Sequence, residues 1–307
     1  MVRNIEDRKL VLVTGKGGVG KTTVSASLAV ALSAQGKRVL VAMCNTKERL
    51  STMLGTAPVG PTISEVRPNL FAVNMDPERA VEEYGRIRVK SRAIYSLLFD
   101  NQYVRAFFRA TPGLSEWSML GKAWWHTTET RQGGRAKYDV VILDAPATGH
   151  GLDMLRVPKV ILEVTPPGLL RRDAEEAWAM FRDESRCGVA LVTLPEEMPT
   201  QESMELTAAL KDDLEIPIAA VFMNAVYEPL FTAPERAAFE ALAAGLEPGL
   251  VPARARAVRE AIQHRCIERM RAGLSAGVPL RKLPYVFGED CAARTDLLSK
   301  SVLAQPQ

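Results

Sequence analysis

The sequence predicts an α/β fold: a doubly wound, mostly parallel P-loop sheet with a helical subdomain inserted. Two observations carry this expectation. Short apolar runs recur at Leu10–Val13, Val39–Met43, Leu70–Val73, Val140–Leu143, Val160–Val164, Val189–Leu194 and Ile218–Met223. Continuous rather than alternating apolar strands are buried on both faces, as in a parallel sheet covered by helices. The first run also leads into a glycine-rich loop and then an apolar helical stretch, Val24–Leu32. Strand, glycine loop and helix make a phosphate-binding unit, and such sheets hold ligands at the carboxyl ends of their strands.

The elements follow in order. Gly36 is placed to cap the first helix directly before the second strand. Asp76-Pro77-Glu78 reads as a helix start, with a capping side chain, proline at the first helical position and an acid in the first turn. A long helical stretch follows, broken at Thr111-Pro112-Gly113, and 77–134 forms the expected subdomain. Nine of the chain's 19 aromatics fall between Tyr84 and Trp125, so the clustering needs a reason. It is either a satellite helical core or an apolar surface that meets a partner. The interleaved Arg86, Arg88, Lys90, Arg92, Arg105 and Arg109 read as a solvated face. Pro195–Thr200 reads as a loop, with Thr200-Gln201-Glu202 opening a helix to about Leu214. The stretch 228–276 is a second helical region, rich in alanine and arginine, with a solvent-facing or interfacial stripe of Arg254, Arg256, Arg259, Arg265, Arg269 and Arg271.

Bulk composition narrows the function class. The 307 residues fit one P-loop domain spanning 1–307, and 47% hydrophobic with 24% charged residues is ordinary for a globular protein. A net charge of +3 does not argue for nucleic acid or an anionic membrane, and no nucleic-acid partner is expected. The first nine residues are charged and lack a signal-peptide core, and no apolar run approaches the ~20 residues of a spanning helix. The tail Leu297–Leu303 is too weakly amphipathic for a stable membrane anchor. Cys44, Cys187, Cys266 and Cys291 form no C-x-x-C pair, which argues against disulfides or a zinc clasp and suits a cytoplasmic location.

The chemistry concentrates in Gly15-Lys16-Gly17-Gly18-Val19-Gly20-Lys21-Thr22-Thr23. Backbone N–H groups bared by the glycines wrap phosphates, and the helix N-terminus adds partial positive charge. Lys21 is expected to reach the β- and γ-phosphates and the Thr22 hydroxyl to bind Mg²⁺. Gly15, Gly17 and Gly20 also satisfy the dinucleotide fingerprint, but the second strand ends in Cys44-Asn45 without the acid that fingerprint requires, and Lys21-Thr22 would go unexplained. Val140–Leu143 leads into Asp144, the pattern of a Walker B strand whose carboxylate holds the Mg²⁺ shell; the bland alternative is an aspartate capping the next turn. Ala145–Gly151 then suits a loop that responds to the γ-phosphate, with His150 either sensing phosphate or structural in a turn.

The double-lysine loop resembles the deviant Walker A of the class containing MinD, ParA, the nitrogenase iron protein and the ArsA-type ATPases. Asp144-Ala145-Pro146-Ala147-Thr148-Gly149-His150 resembles the switch II signature of the anion-transporting (ArsA-type) family, which includes the ATPases that target tail-anchored proteins. Asp76-Pro77-Glu78, Pro112-Gly113-Leu114 and Leu194-Pro195-Glu196-Glu197 followed by Glu202 sit where that family has similar pieces. The resemblance implies ATP or ADP with Mg²⁺ as ligands, Thr23 on the α-phosphate, and Lys16 reaching across a dimer interface to the partner's phosphates. It also implies that Asn224, in Phe222-Met223-Asn224, reads adenine and that Pro284-Tyr285 packs on it. The dimer partner would be a second copy or a paralogous ATPase, and the client an unnamed protein. Three departures stand out. The switch I aspartate that positions the attacking water is replaced by Asn45 in Asn45-Thr46-Lys47-Glu48-Arg49, which predicts slowed hydrolysis. The zinc pair of the eukaryotic targeting ATPases is missing, and the cysteines form no clustered thiol site.

Overall fold

Alternation within the buried strands builds two cores on one sheet. The computed structural model describes residues 4–44, 47–88, 114–146, 150–242, 248–288 and 290–304 (at 84–88, 114–116 and 150, the backbone alone). After a short 3₁₀ turn, β1 (Leu10–Thr14) leads through the glycine loop to α1 (Lys21–Ala34), β2 (Val39–Cys44) and the short α2 (Leu50–Leu54). Then come β3 (Ser64–Arg67), β4 (Leu70–Met75), α3 (Pro77–Arg88), α4 (Leu114–Thr128) and β5 (Val140–Asp144). The second half runs α5 (His150–Val164), α6 (Leu169–Arg182), β6 (Cys187–Thr193), α7 (Glu197–Ala208) with a π-turn to Asp213, and β7 (Ile218–Val226). It closes with α8 (Ala233–Ala241), α9 (Val251–Gly273), β8 (Leu280–Pro284) and α10 (Cys291–Ser301).

The strands order as β3-β4-β2-β5-β1-β6-β7-β8, all parallel except β3, which pairs antiparallel with β4 at one edge. Leu10 and Leu12 of β1 face a core built with α4, α5, α6, α7 and α9, whereas Val11 and Val13 face one built with α1, α2 and α10. Both faces of the sheet are therefore covered, as the continuous apolar runs predict. The chain moves outward from β1 to β2 and β4, returns to insert β5 beside β1, and then crosses to β6. That reversal opens the crevice in which such sheets bind ligands.

Local expectations largely hold. Lys37 N donates to Leu32 O and Gly36 N to Ser33 O, the paired bonds of a Schellman cap. Asp76 Oδ1 accepts from Arg79 N at 2.9 Å at the head of α3. Trp117 and Trp124 are buried in the core, so this part of the aromatic cluster serves packing; Tyr95 to Phe108 and the Thr111–Gly113 break lie outside the described residues. The arginine stripe of α9 is dispersed among internal contacts: Arg256 pairs with Glu260, Arg265 with Glu240 and Arg271 with Glu268.

Two expectations are corrected. Val160–Val164 is the last turn of α5, not a strand: Ile161 is buried while Val160 and Val164 are 49% and 73% exposed, a helical rather than a sheet pattern. Four apolar residues in a stretch of five do not separate the two states. The helix expected to open at Thr200 opens at Glu197, because Pro199 sits in the first turn, where a missing N–H costs nothing. The strands Ser64–Arg67 and Leu280–Pro284 add to the predicted set; both are edge strands carrying charged residues and lack long apolar runs.

Candidate nucleotide site

Strand register brings the phosphate elements together. Asp144 at the end of β5 lies opposite Val13 of β1 on one side and Met43 of β2 on the other. The Thr22 hydroxyl, in the first turn of α1, donates to Asp144 Oδ2 at 2.7 Å. Ser25, one turn on, donates to Oδ1 at 3.2 Å and is fully buried. Both carboxylate oxygens are thus held by hydroxyls from one face of α1. Burial pushes the Asp144 carboxyl above the usual range, against the opposing pull of these two bonds and the Lys21 ammonium.

Lys21 turns its ammonium onto its own loop, donating to the carbonyls of Gly15 (3.0 Å) and Lys16 (2.9 Å). Burial pushes its pKa below the ordinary value, partly offset by Asp144. A less firmly hydrated cation beside converging N–H groups is suited to phosphate. The helix α1 starts without a side-chain cap or an acid in its first turn, so its leading N–H groups are left for a ligand. Two glycines are dictated by space. A Cβ on Gly15 would lie 2.2 Å from the Val192 carbonyl oxygen of β6, and one on Gly20 would lie 2.3 Å from Asn224 Nδ2, with φ at +94°.

Asn224, near the end of β7, donates from Nδ2 to the Val19 carbonyl at 2.9 Å, so it rests directly on the glycine loop. Beside it opens a cleft of about 730 Å³ lined by Gly18, Val19, Met198, Asn224, Tyr227 and Tyr285, among others. Tyr285 stacks on Tyr227 (4.7 Å between centroids, 18° between planes), and Arg256 and Arg259 lie 4.5 and 5.0 Å from the Tyr227 ring centre. Pro284 lines an adjoining cavity instead. Thr23 Oγ1 approaches Met53 Sδ of α2 at 3.8 Å. Lys16 forms an ion pair with Glu202 of α7.

Asn45 lies outside the described residues, as do Ala147–Gly149 and the side chain of His150. Glu48, three positions after Asn45 in the sequence, spends its oxygens on α2: Ser51 N and Oγ donate to them at 2.8 and 2.6 Å. Cys44 is buried, and burial together with Asp144 raises its thiol pKa far above the usual range, leaving it an inert neighbour. Among the described residues no group of three His, Cys, Asp or Glu side chains stands ready to hold a metal. A cation at Thr22 and Asp144 would therefore share its shell with substrate oxygens and water, the usual arrangement for Mg²⁺. The hard oxygens of Thr22 and Asp144 fit that ion. Ser25, Tyr227 and Arg259 were not marked by motif; the signals available were a second hydroxyl one turn after Thr22 and the place of Arg259 in the arginine stripe.

A sequence profile described as the anion-transporting ATPase family matches residues 8–165, just over half of the chain and the part containing both phosphate elements. The chain belongs to the anion-transporting ATPase family. Related family proteins include ATPase BagA of Mycobacterium tuberculosis, 28% identical over 227 residues that make up 70% of this chain and 64% of that protein. ATPase ARSA1 of Chlamydomonas reinhardtii is 26% identical over 73% of this chain and 36% of its own length. ATPase GET3 of Komagataella phaffii is 29% identical over 52% and 47%. The chain thus spans less than two thirds of the length of these curated relatives. No helix among the described residues of this family member is long and apolar enough to cross a membrane.

Proposed function

We propose that this chain is a Mg²⁺-dependent ATPase that works as a dimer, with itself or a paralogue, and couples closure to gripping a protein client through 77–134. The carrying observation is the Thr22–Asp144 contact at the root of an uncapped helix, with Lys21 beside it. The loop N–H groups and Lys21 bind the β- and γ-phosphates, and Thr23 the α-phosphate. Asn224 presents its amide oxygen to adenine while its nitrogen stays on Val19, and Tyr285 offers a face for the base. Thr22 and Asp144 would hold Mg²⁺, which would supply charge neutralisation to the phosphates. Lys16 from the partner protomer stabilises charge developing on the γ-phosphoryl group, and Asn45 orients the attacking water. Phosphoryl transfer draws chiefly on positioning and electrostatics, so an amide in place of an acid slows it rather than abolishing it. Calorimetry with Mg²⁺-ATP tests the reading. Lys21→Ala is expected to weaken binding roughly 100-fold, the loss of charge-assisted bonds worth about 1.5–3 kcal/mol; equal affinity in the two proteins would end it.

A second reading has this chain as a weakly hydrolysing regulatory subunit paired with an active paralogue. Asn45 favours it, as does the commitment of Glu48, the next acid along the sequence, to α2. Turnover of the purified chain alone tests this second reading: steady hydrolysis in excess of an Asn45→Asp variant counts decisively against the regulatory subunit.

A further inference from the structure

The two lysines of the glycine loop have different partners. Lys21 is held by carbonyls of its own loop, whereas Lys16 is held by a carboxylate from α7, 186 residues further along the chain. The Lys16 and Glu202 side chains are 35% and 31% exposed, so the pair sits at the rim of the site rather than inside it. Glu202 does not line the cleft, but its helix does: Glu197, Met198 and Pro199, in the first turns of α7, form part of the cleft wall. One residue before Glu202, Gln201 accepts a hydrogen bond from Arg269 of α9 and donates to Glu205 at 2.7 Å. The helix carrying Glu202 is therefore braced against α9 and touches the space a nucleotide base would fill.

We propose that Glu202 is a positioning residue for Lys16. It holds the lysine within its own protomer, and this ion pair opens before Lys16 reaches the phosphates of a second protomer. The proposal rests on the shared-site reading above and adds the element that governs when sharing begins. A carboxylate on the rim suits the task, because a pair at this exposure biases an equilibrium by only roughly two- to fivefold. A lock of that strength yields to a γ-phosphate, which offers Lys16 a more highly charged partner. A symmetrical dimer opens two such pairs, so the combined bias is the product, roughly 4- to 25-fold.

The test uses the full chain as wild type, Glu202→Gln and Glu202→Asp, with two readouts. The first is the rate at which an amine-acylating reagent modifies Lys16 without nucleotide, read by peptide mass spectrometry with Lys159 as internal control. The second is the dissociation constant of the dimer in saturating Mg²⁺-ATP, read by sedimentation. Glu202→Gln is expected to raise Lys16 modification about two- to fivefold with Lys159 unchanged, and to tighten the dimer about 4- to 25-fold. Glu202→Asp keeps the charge and is expected to lie between the other two. Unchanged Lys16 reactivity in Glu202→Gln, or a dimer no tighter than wild type, overturns this proposal alone. Increased reactivity with no dimer in any variant overturns the shared-site reading and this proposal with it.

Discussion

Asp144 is a charge kept in a place that disfavours it. Burial raises its pKa, while Thr22, Ser25 and Lys21 pull the other way. For a carboxyl whose folded pKa lies above its unfolded value, the folded chain binds the proton more tightly. The stability this gives is present below the unfolded pKa and is lost as pH rises through the folded one. Asp144→Asn removes the desolvated charge and leaves an oxygen to accept from a hydroxyl. The variant without nucleotide is expected to melt about 2–4 °C above wild type at pH 7.5, the shift roughly 1 kcal/mol gives in a large domain. The gap should narrow as pH falls toward 5, while Mg²⁺-dependent tightening of ATP binding disappears. Thermal melts across that range check the sign; a variant that melts lower at pH 7.5 would show that the contacts of the charge outweigh its desolvation. The pairing of Thr22 with Asp144 was legible in the sequence because a motif fixes both. The roles of Ser25, Tyr227 and Glu202 were not: their contacts join residues 36 to 186 positions apart or lie on an unremarkable helix face, and composition says nothing of such meetings.

At the scale of elements, the glycine loop is shaped as much by its neighbours as by its own flexibility. Gly15 faces the carbonyl of Val192 on β6, and strand backbone cannot retreat without breaking its ladder. Gly18 also has positive φ, at +84°, but open space beyond it. Gly15→Ala should therefore cost roughly 3 kcal/mol or more and abolish nucleotide binding, whereas Gly18→Ala should cost about 1–2 kcal/mol, the strain of a left-handed residue alone. Denaturant unfolding of the two variants separates them, and equal losses would mean that backbone strain, not the Val192 contact, sets the requirement. The same contrast explains what periodicity could reveal of the fold. Central strands announce themselves because both faces are buried, so β1, β2, β5, β6 and β7 were all evident. The edge strands β3 and β8 carry charges where solvent reaches them, and the Val160–Val164 turn imitates a strand because only its position on α5 tells its faces apart.

At the scale of the molecule, the sheet order sets the P-loop and Asp144 side by side at the point where the strand order reverses, with α7, α9 and the Tyr227–Tyr285 stack walling a cleft beside them. Fold class and family membership were open to sequence reasoning, because each is carried by contiguous motifs. Strand order was not, since nothing in a parallel strand names its neighbour. Within one protomer Lys16 pairs with its own Glu202, so the central claim is that nucleotide brings two protomers together around shared phosphates. Native mass measurement with and without Mg²⁺-ATP tests it most directly. The account predicts a single chain of 33.6 kDa without nucleotide and, with it, a species of twice that mass retaining bound nucleotide, absent for Lys16→Ala. A mass that stays at one chain with nucleotide bound, or a dimer that forms equally in Lys16→Ala, would contradict it.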